Sequence, residues 1–130
     1  MAMNGEFEMG KIQIVHIWGE KKNIGNVDLI ISMLRQLVIK IGMTPHGDPQ
    51  VVKYPVKELG NTIFAFVAYQ PLYESYIVYD NWVELQPAYA NLIVNSCKDY
   101  DTDKVVKIIE MYLKPVSIKI EIPINYDGKL

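Results

Sequence analysis

Glu74 and Ser75 open a β-rich run, ESYIVYDNWVELQPAYANLIVNSC, that also carries Asp80, the triplet Trp82-Val83-Glu84 and the single cysteine, Cys97. A serine hydroxyl can attack a neighbouring carbonyl, a carboxylate can hold a cation or take a proton, and a thiol can return one. Side chains alternate along a strand, so this run can gather these groups on one side of a sheet. Each residue also has a plainer use. Glu74-Ser75 can be a polar loop end, Asp80 an edge residue, Cys97 a small buried side chain and Trp82 a core residue. His16 and His46 lie far apart without metal-ligand spacing, and His16 reads as a packed or hydrogen-bonded core histidine. The chain has no phosphate-cradling glycine loop, no zinc pattern and no Ser-His-Asp set that spacing identifies.

The elements that must position these residues follow from periodicity. Lys11 to Trp18 alternates polar and apolar residues as a strand does, and Asn26 caps a helix over Val27 to Ile41 that Gly42 stops. Strands are expected at Val51 to Val56, Thr62 to Tyr69, Tyr76 to Trp82 and Ala90 to Ser96, with a turn at Gln70 to Tyr73. Thr102 is expected to cap a second helix, Lys104 to Leu113, before a last strand from Val116 to Ile122. The order β-α-β-β-β-β-α-β, with one apolar stripe per helix, gives an α+β two-layer sandwich: a mostly antiparallel sheet with both helices on one face.

At 130 residues and 50% hydrophobic, the chain fits a single domain over 11–124, with a flexible leader at 1–10 and a tail at 125–130. A net charge of -2 without a basic stripe argues against nucleic acid as a partner. One cysteine excludes an internal disulfide framework and suits a reducing cytoplasm. No apolar run approaches the ~20 residues of a membrane span, and the start lacks a signal-peptide layout.

Glu74-Ser75, Asp80, Trp82-Val83-Glu84, Tyr89-Ala90 and Cys97, in that order, resemble the prokaryotic S-adenosylmethionine decarboxylase family. Its pattern runs Glu-Ser-His, a strand with a histidine, Trp-Pro-Glu, Tyr-Ala and a cysteine. The strand end His16 to Glu20, the helix opening Asn26 to Ile30 and the acidic run after Cys97 are also similar to that family. The resemblance implies a pyruvoyl cofactor made from Ser75 by backbone cleavage after Glu74, with Cys97 as proton donor. This chain departs from the pattern by carrying Asp80 where the family has its processing histidine, and by a turn before Ser75 that reads about three residues longer. A processed member is two chains; an uninterrupted chain with serine at 75 reads as an unprocessed relative, with no cofactor unless Ser75 is converted.

The resemblance further implies a site for S-adenosylmethionine or a derivative. Glu84 would bind ribose hydroxyls or offset the sulfonium charge, and Trp18, Tyr54, Tyr69 or Trp82 would stack on adenine or face the cation. Lys53 and Lys57 would serve a phosphate-bearing conjugate. Three readings stand open. In the first, a pyruvoyl-independent lyase releases methylthioadenosine, with Glu74 and Tyr69 or Tyr73 acting on the substrate; Glu74 to Val78 resembles a short stretch of phage-type S-adenosylmethionine lyases. In the second, a divergent decarboxylase uses Asp80 in the histidine's place. In the third, a non-catalytic paralogue binds the ligand. A homo-oligomer, dimer or trimer, is expected with any of them.

Overall fold

A computed structural model describes residues 9–128. Alternation sets the first strand, β1 (Met9–Gly19): Gln13, Val15 and Ile17 are buried, while Ile14, His16 and Trp18 face the other way half-buried. A short helix, α1 (Lys21–Ile24), leads into α2 (Val27–Lys40), where the Asn26 side chain accepts from Leu29 N at 3.1 Å. Such caps stabilise a helix by about 1 kcal/mol. Gly42, at a φ of +74°, provides the left-handed turn that ends it. Then come β2 (Gln50–Glu58), β3 (Asn61–Leu72), β4 (Ser75–Trp82) and β5 (Ala88–Lys98). Helix α3 (Thr102–Leu113) follows, then β6 (Ser117–Ile120) and β7 (Ile124–Asn125).

All pairings are antiparallel, in the order β2-β3-β4-β5-β1-β6, with β7 also on β1. The expected α+β sandwich is therefore the observed one. Ile30, Met33, Leu34, Leu37 and Val38 of α2 and Val105, Ile108, Ile109 and Leu113 of α3 share one core with Val15, Ile17, Ile77, Tyr79, Leu92 and Val94 of the sheet. Helices α2 and α3 thus cover a single face, and among the described residues the opposite face of the sheet carries no helix.

Four local expectations change. The cap of α3 is Asp101, whose carboxylate accepts from Asp103 N at 2.9 Å, so Thr102 is the first helical residue instead. Met9 and Gly10, expected in the leader, begin β1, while residues 1–8 lie outside the described ones. The segment expected as a tail starts with Asn125 in β7. Finally, β3 continues through the expected turn to Leu72, which pairs with Ser75, leaving a two-residue connection of Tyr73 and Glu74.

Candidate ligand site on the open sheet face

Register places the chemistry in rows across the open face. One row runs Val67, Asp80, Asn91, His16 and Lys119 from β3 to β6. The next runs Trp82, Tyr89, Trp18 and Ser117. On the other side lie Tyr69, Val78, Ile93 and Ile14, then Pro71, Tyr76, Asn95, Ile12 and Ile124. The middle of the face is therefore apolar and half-buried, and polar groups collect towards its two ends.

At one end three aromatic rings form a strip. Tyr89 sits between Trp82 and Trp18, with ring centroids 5.1 and 5.2 Å away and interplanar angles of 34° and 36°. Such spacing is that of mutually attractive rings, and their faces attract cations. Carboxylates border the strip. Asp80 accepts from the Tyr54 hydroxyl at 3.3 Å, and that hydroxyl also reaches the Asn81 carbonyl at 3.3 Å. Burial, then the Asp80 charge and its hydrogen bond, then the Glu84 charge, push the Tyr54 phenol above its ordinary value; Glu84 is thus close to the same group. On the β1 side, His16 Nδ1 lies 2.6 Å from Tyr89 Oη, and His16 Nε2 lies 2.5 Å from Glu121 Oε2.

Asn81 fixes this end from behind. Its side chain is fully buried; Oδ1 accepts from Phe66 N at 2.9 Å and Nδ2 donates to the Ile24 carbonyl at 3.0 Å. Tyr79 donates to the same carbonyl at 2.6 Å. The pairing of β3 with β4 ends at Val67 and Asp80, so the Asn81 side chain serves Phe66 one step beyond the ladder. Asp80 and Trp82, the neighbours of Asn81, are thereby held on the open face.

The other end gathers Ser75, Cys97, Tyr126 and Asn95. Tyr126 donates to Asn95 Oδ1, and Tyr126 N donates to the Gly10 carbonyl at 3.0 Å. Burial and then the Cys97 sulfur hold the Tyr126 phenol above its ordinary value, against a hydrogen bond with Ser75. The Glu74 carbonyl accepts from Cys97 N at 2.9 Å. Ser75 has a φ of +152°, a value that costs a non-glycine residue backbone energy, immediately after the Glu74-Ser75 bond. Cys97 is exposed with a free thiol.

The expected site residues therefore fall into two groups. Trp18, Tyr54, Asp80, Trp82 and Glu84 come together at the aromatic end; Ser75 and Cys97 come together at the other; Tyr69 lies between, its ring 6.3 Å from Tyr76. Ser75 and Asp80, five residues apart on β4, are about 17 Å from one another at the usual strand rise. Glu74 joins neither group. Its carboxylate accepts from Thr44 N at 3.0 Å and Thr44 Oγ1 at 3.1 Å, tying the hairpin to the loop after α2. Glu74 and Glu84 flank opposite ends of β4 and share no described cavity. Lys53 and Lys57 alternate with Tyr54 and so project to the opposite face, with Lys57 donating to Thr62 Oγ1 at 3.2 Å. That placement overturns the expectation that these lysines flank the site.

His16, Tyr89, Asn91, Glu121 and Tyr126 belong to this face but were not expected there. The signal for His16 was present: Val15 and Ile17 are its buried neighbours, so alternation puts it on the face opposite the core. Among the described residues no group of three or more His, Cys, Asp and Glu could hold a metal ion, and no helix is long and apolar enough to cross a membrane.

A helix-backed antiparallel sheet whose bare face carries an aromatic, carboxylate-bordered strip defines a class of ligand-binding α+β sandwich. A family model described as S-adenosylmethionine decarboxylase matches residues 12–122, which spans β1 through the segment after β6. The chain belongs to the S-adenosylmethionine decarboxylase family, and membership supports S-adenosylmethionine as the ligand. A search of curated proteins finds no match.

Proposed function

We propose that the protein is a lyase that releases methylthioadenosine from S-adenosylmethionine or a conjugate of it, without a pyruvoyl group. The observation that carries this reading is the Trp82-Tyr89-Trp18 strip beside Asp80 and Glu84. Adenine stacks on such rings, and both the rings and the carboxylates attract a sulfonium. In the reaction the substrate's own carboxylate attacks the carbon γ to it. A C–O bond forms, the C–S bond breaks, and its electron pair neutralises the sulfonium, giving a lactone and a neutral thioether. Charge disappears along this path, so a site poor in water favours it once the ends are held in line.

A single chain leaves this face open, with Ile12, Ile14, Val67, Val78 and Ile93 half-buried. In this proposal a second copy covers the face by a twofold stacking, which lays the Ser75-Cys97 end of one chain over the aromatic end of the other. The site is then sealed from water and completed between subunits. Glu74, committed to Thr44, acts in this scheme through the hairpin, while Asp80 and Glu84 face the ligand.

The strained Ser75 and the Cys97 amide on the Glu74 carbonyl favour one second reading, self-processing and decarboxylation. The tight Tyr73-Glu74 connection also stands in place of the longer turn expected before Ser75. Incubation with S-adenosylmethionine labelled in its carboxyl and methyl groups separates the two. Labelled methylthioadenosine and lactone from a chain of full intact mass supports the lyase. Carbon dioxide from a chain split before Ser75 overturns it.

A further inference from the structure

The hydrogen-bonded line Glu121–His16–Tyr89 has no part in the displacement just described, yet it ends on the central ring of the strip. A carboxylate only accepts, so Glu121 Oε2 at 2.5 Å assigns the proton of a neutral His16 to Nε2. Nδ1 then bears a lone pair and takes the Tyr89 hydroxyl proton across 2.6 Å. Tyr89 has one proton, and this bond consumes it. The remaining lone pairs of Oη belong to a ring flanked by Trp82 and Trp18, on which a ligand would stack.

Resting on the lyase reading, we propose that Tyr89 is a specificity-determining residue, an obligate acceptor for an N–H or O–H donor of the nucleoside ligand. His16 and Glu121 are the positioning residues that keep its proton turned inward. The donors on offer are the adenine amino group, the ribose hydroxyls and the α-ammonium group. An acceptor at the centre of the strip also adds partial negative charge beside the sulfonium. A second proton on His16 reverses the arrangement. Nδ1–H then donates to Tyr89, the phenolic hydrogen turns towards the ligand, and an imidazolium lies beside the strip. The groups facing His16 are Glu121 after β6, Lys119 on β6, Tyr89 and Asn91 on β5, Trp18 on β1, and Asp80 one strand beyond Asn91. Lys119 adds to the repulsion of a cation, while Glu121 and Asp80 oppose it.

Calorimetric titration of the full chain with methylthioadenosine and with S-adenosylhomocysteine tests this, because neither probe turns over. Wild type should bind both at about pH 8 and about tenfold more weakly in acid, once a second proton is on His16. Tyr89→Phe keeps the ring but should bind about tenfold more weakly at the higher pH and lose the pH dependence. His16→Phe should also abolish the pH dependence while leaving Tyr89 able to accept. Weakening of both probes by Tyr89→Phe identifies a donor of the nucleoside itself, the adenine amino group or a ribose hydroxyl; weakening of S-adenosylhomocysteine alone identifies the ammonium. Either supports the proposal. If Tyr89→Phe binds as wild type does, Tyr89 is not an acceptor and the lyase reading is untouched. If wild type binds neither probe at either pH, both readings fall together.

Discussion

Replacing Asn81 should unfasten the aromatic end of the sheet by an amount the hydrogen bonds set. Asn81→Ala strands Phe66 N–H, which has no strand partner beyond the end of the β3–β4 ladder; an orphaned buried donor costs about 1–3 kcal/mol. The Ile24 carbonyl still accepts from Tyr79, so its loss is small, and the void adds about 1 kcal/mol. The sum is about 3 kcal/mol. Tyr79→Phe alone should cost about 1 kcal/mol, because Asn81 then still serves Ile24. Together the two changes leave that buried carbonyl with neither partner, so the double variant should lose about 1–2 kcal/mol more than the sum of the singles. Urea unfolding followed by tryptophan fluorescence reads all three. With a slope of about 1.5 kcal/mol per molar, Asn81→Ala moves the midpoint down by about 2 M. A loss below about 1 kcal/mol, or strict additivity, would refute the argument that Asn81 and Tyr79 share Ile24 and that Asn81 serves Phe66.

Glu84→Gln should raise KM for S-adenosylmethionine about tenfold and leave binding of neutral methylthioadenosine unchanged, as steady-state rates and calorimetry will show. Glu74→Ala should lower Tm by about 4 °C through loss of the Thr44 clasp, without weakening methylthioadenosine binding. Burial raises the phenols of Tyr79 and Tyr100, so the folded state holds protons that the unfolded chain releases; their stabilisation is complete below about pH 10 and is lost as pH rises beyond it. Circular dichroism during alkaline titration should show unfolding there, shifted upwards in Tyr79→Phe. The Asp99 carboxyl is held below its ordinary value, first by its hydrogen bond with Lys11 at 2.7 Å; its small contribution is present above about pH 4 and fades as pH falls through the lowered value. Acid unfolding of Asp99→Asn, compared with wild type, should therefore be less steep.

The architecture was legible because its signals are local. Apolar spacing from Val27 to Ile41 and alternation from Lys11 to Trp18 each fix an element within one turn or two pleats. Asn26 and Gly42 mark ends that side-chain chemistry dictates. Pro71 signals a break, which is why the residues alone point to a turn at Gln70 to Tyr73. In the fold, β2 has already ended opposite Tyr69, so the side of β3 that Pro71 would serve needs no amide there. Residues of the loop after α2 fill that side instead, with His46 N donating to the Pro71 carbonyl at 3.0 Å. Asp101 took the cap from Thr102 for an equally local reason, a one-residue shift that both side chains permit.

What the sequence hid was the far end of the chain. Glu121 and Tyr126 reach His16 and Asn95 only because β6 and β7 return to β1, a pairing between segments roughly a hundred residues apart that no window can register. The same return explains why β4 alone cannot make a site. Alternation sets Asp80 on the open face beside Tyr54 and Asn91, while Ser75, paired with buried Ser96, meets the other end of that face through its hydrogen bond with Tyr126, which is itself held by Asn95. A substrate on the aromatic strip is therefore out of reach of the Ser75 hydroxyl of its own chain, whichever reaction is run. Chemistry that uses both ends needs two chains with their open faces together; chemistry that uses only the strip needs the second chain merely as a cover. Mixing Ser75→Ala and Trp82→Ala chains distinguishes the cases. If both ends act in one site, the mixture regains up to about a quarter of wild-type activity, because half of the random dimers are hybrid and each has one intact site. If the strip acts alone, Ser75→Ala is active unmixed.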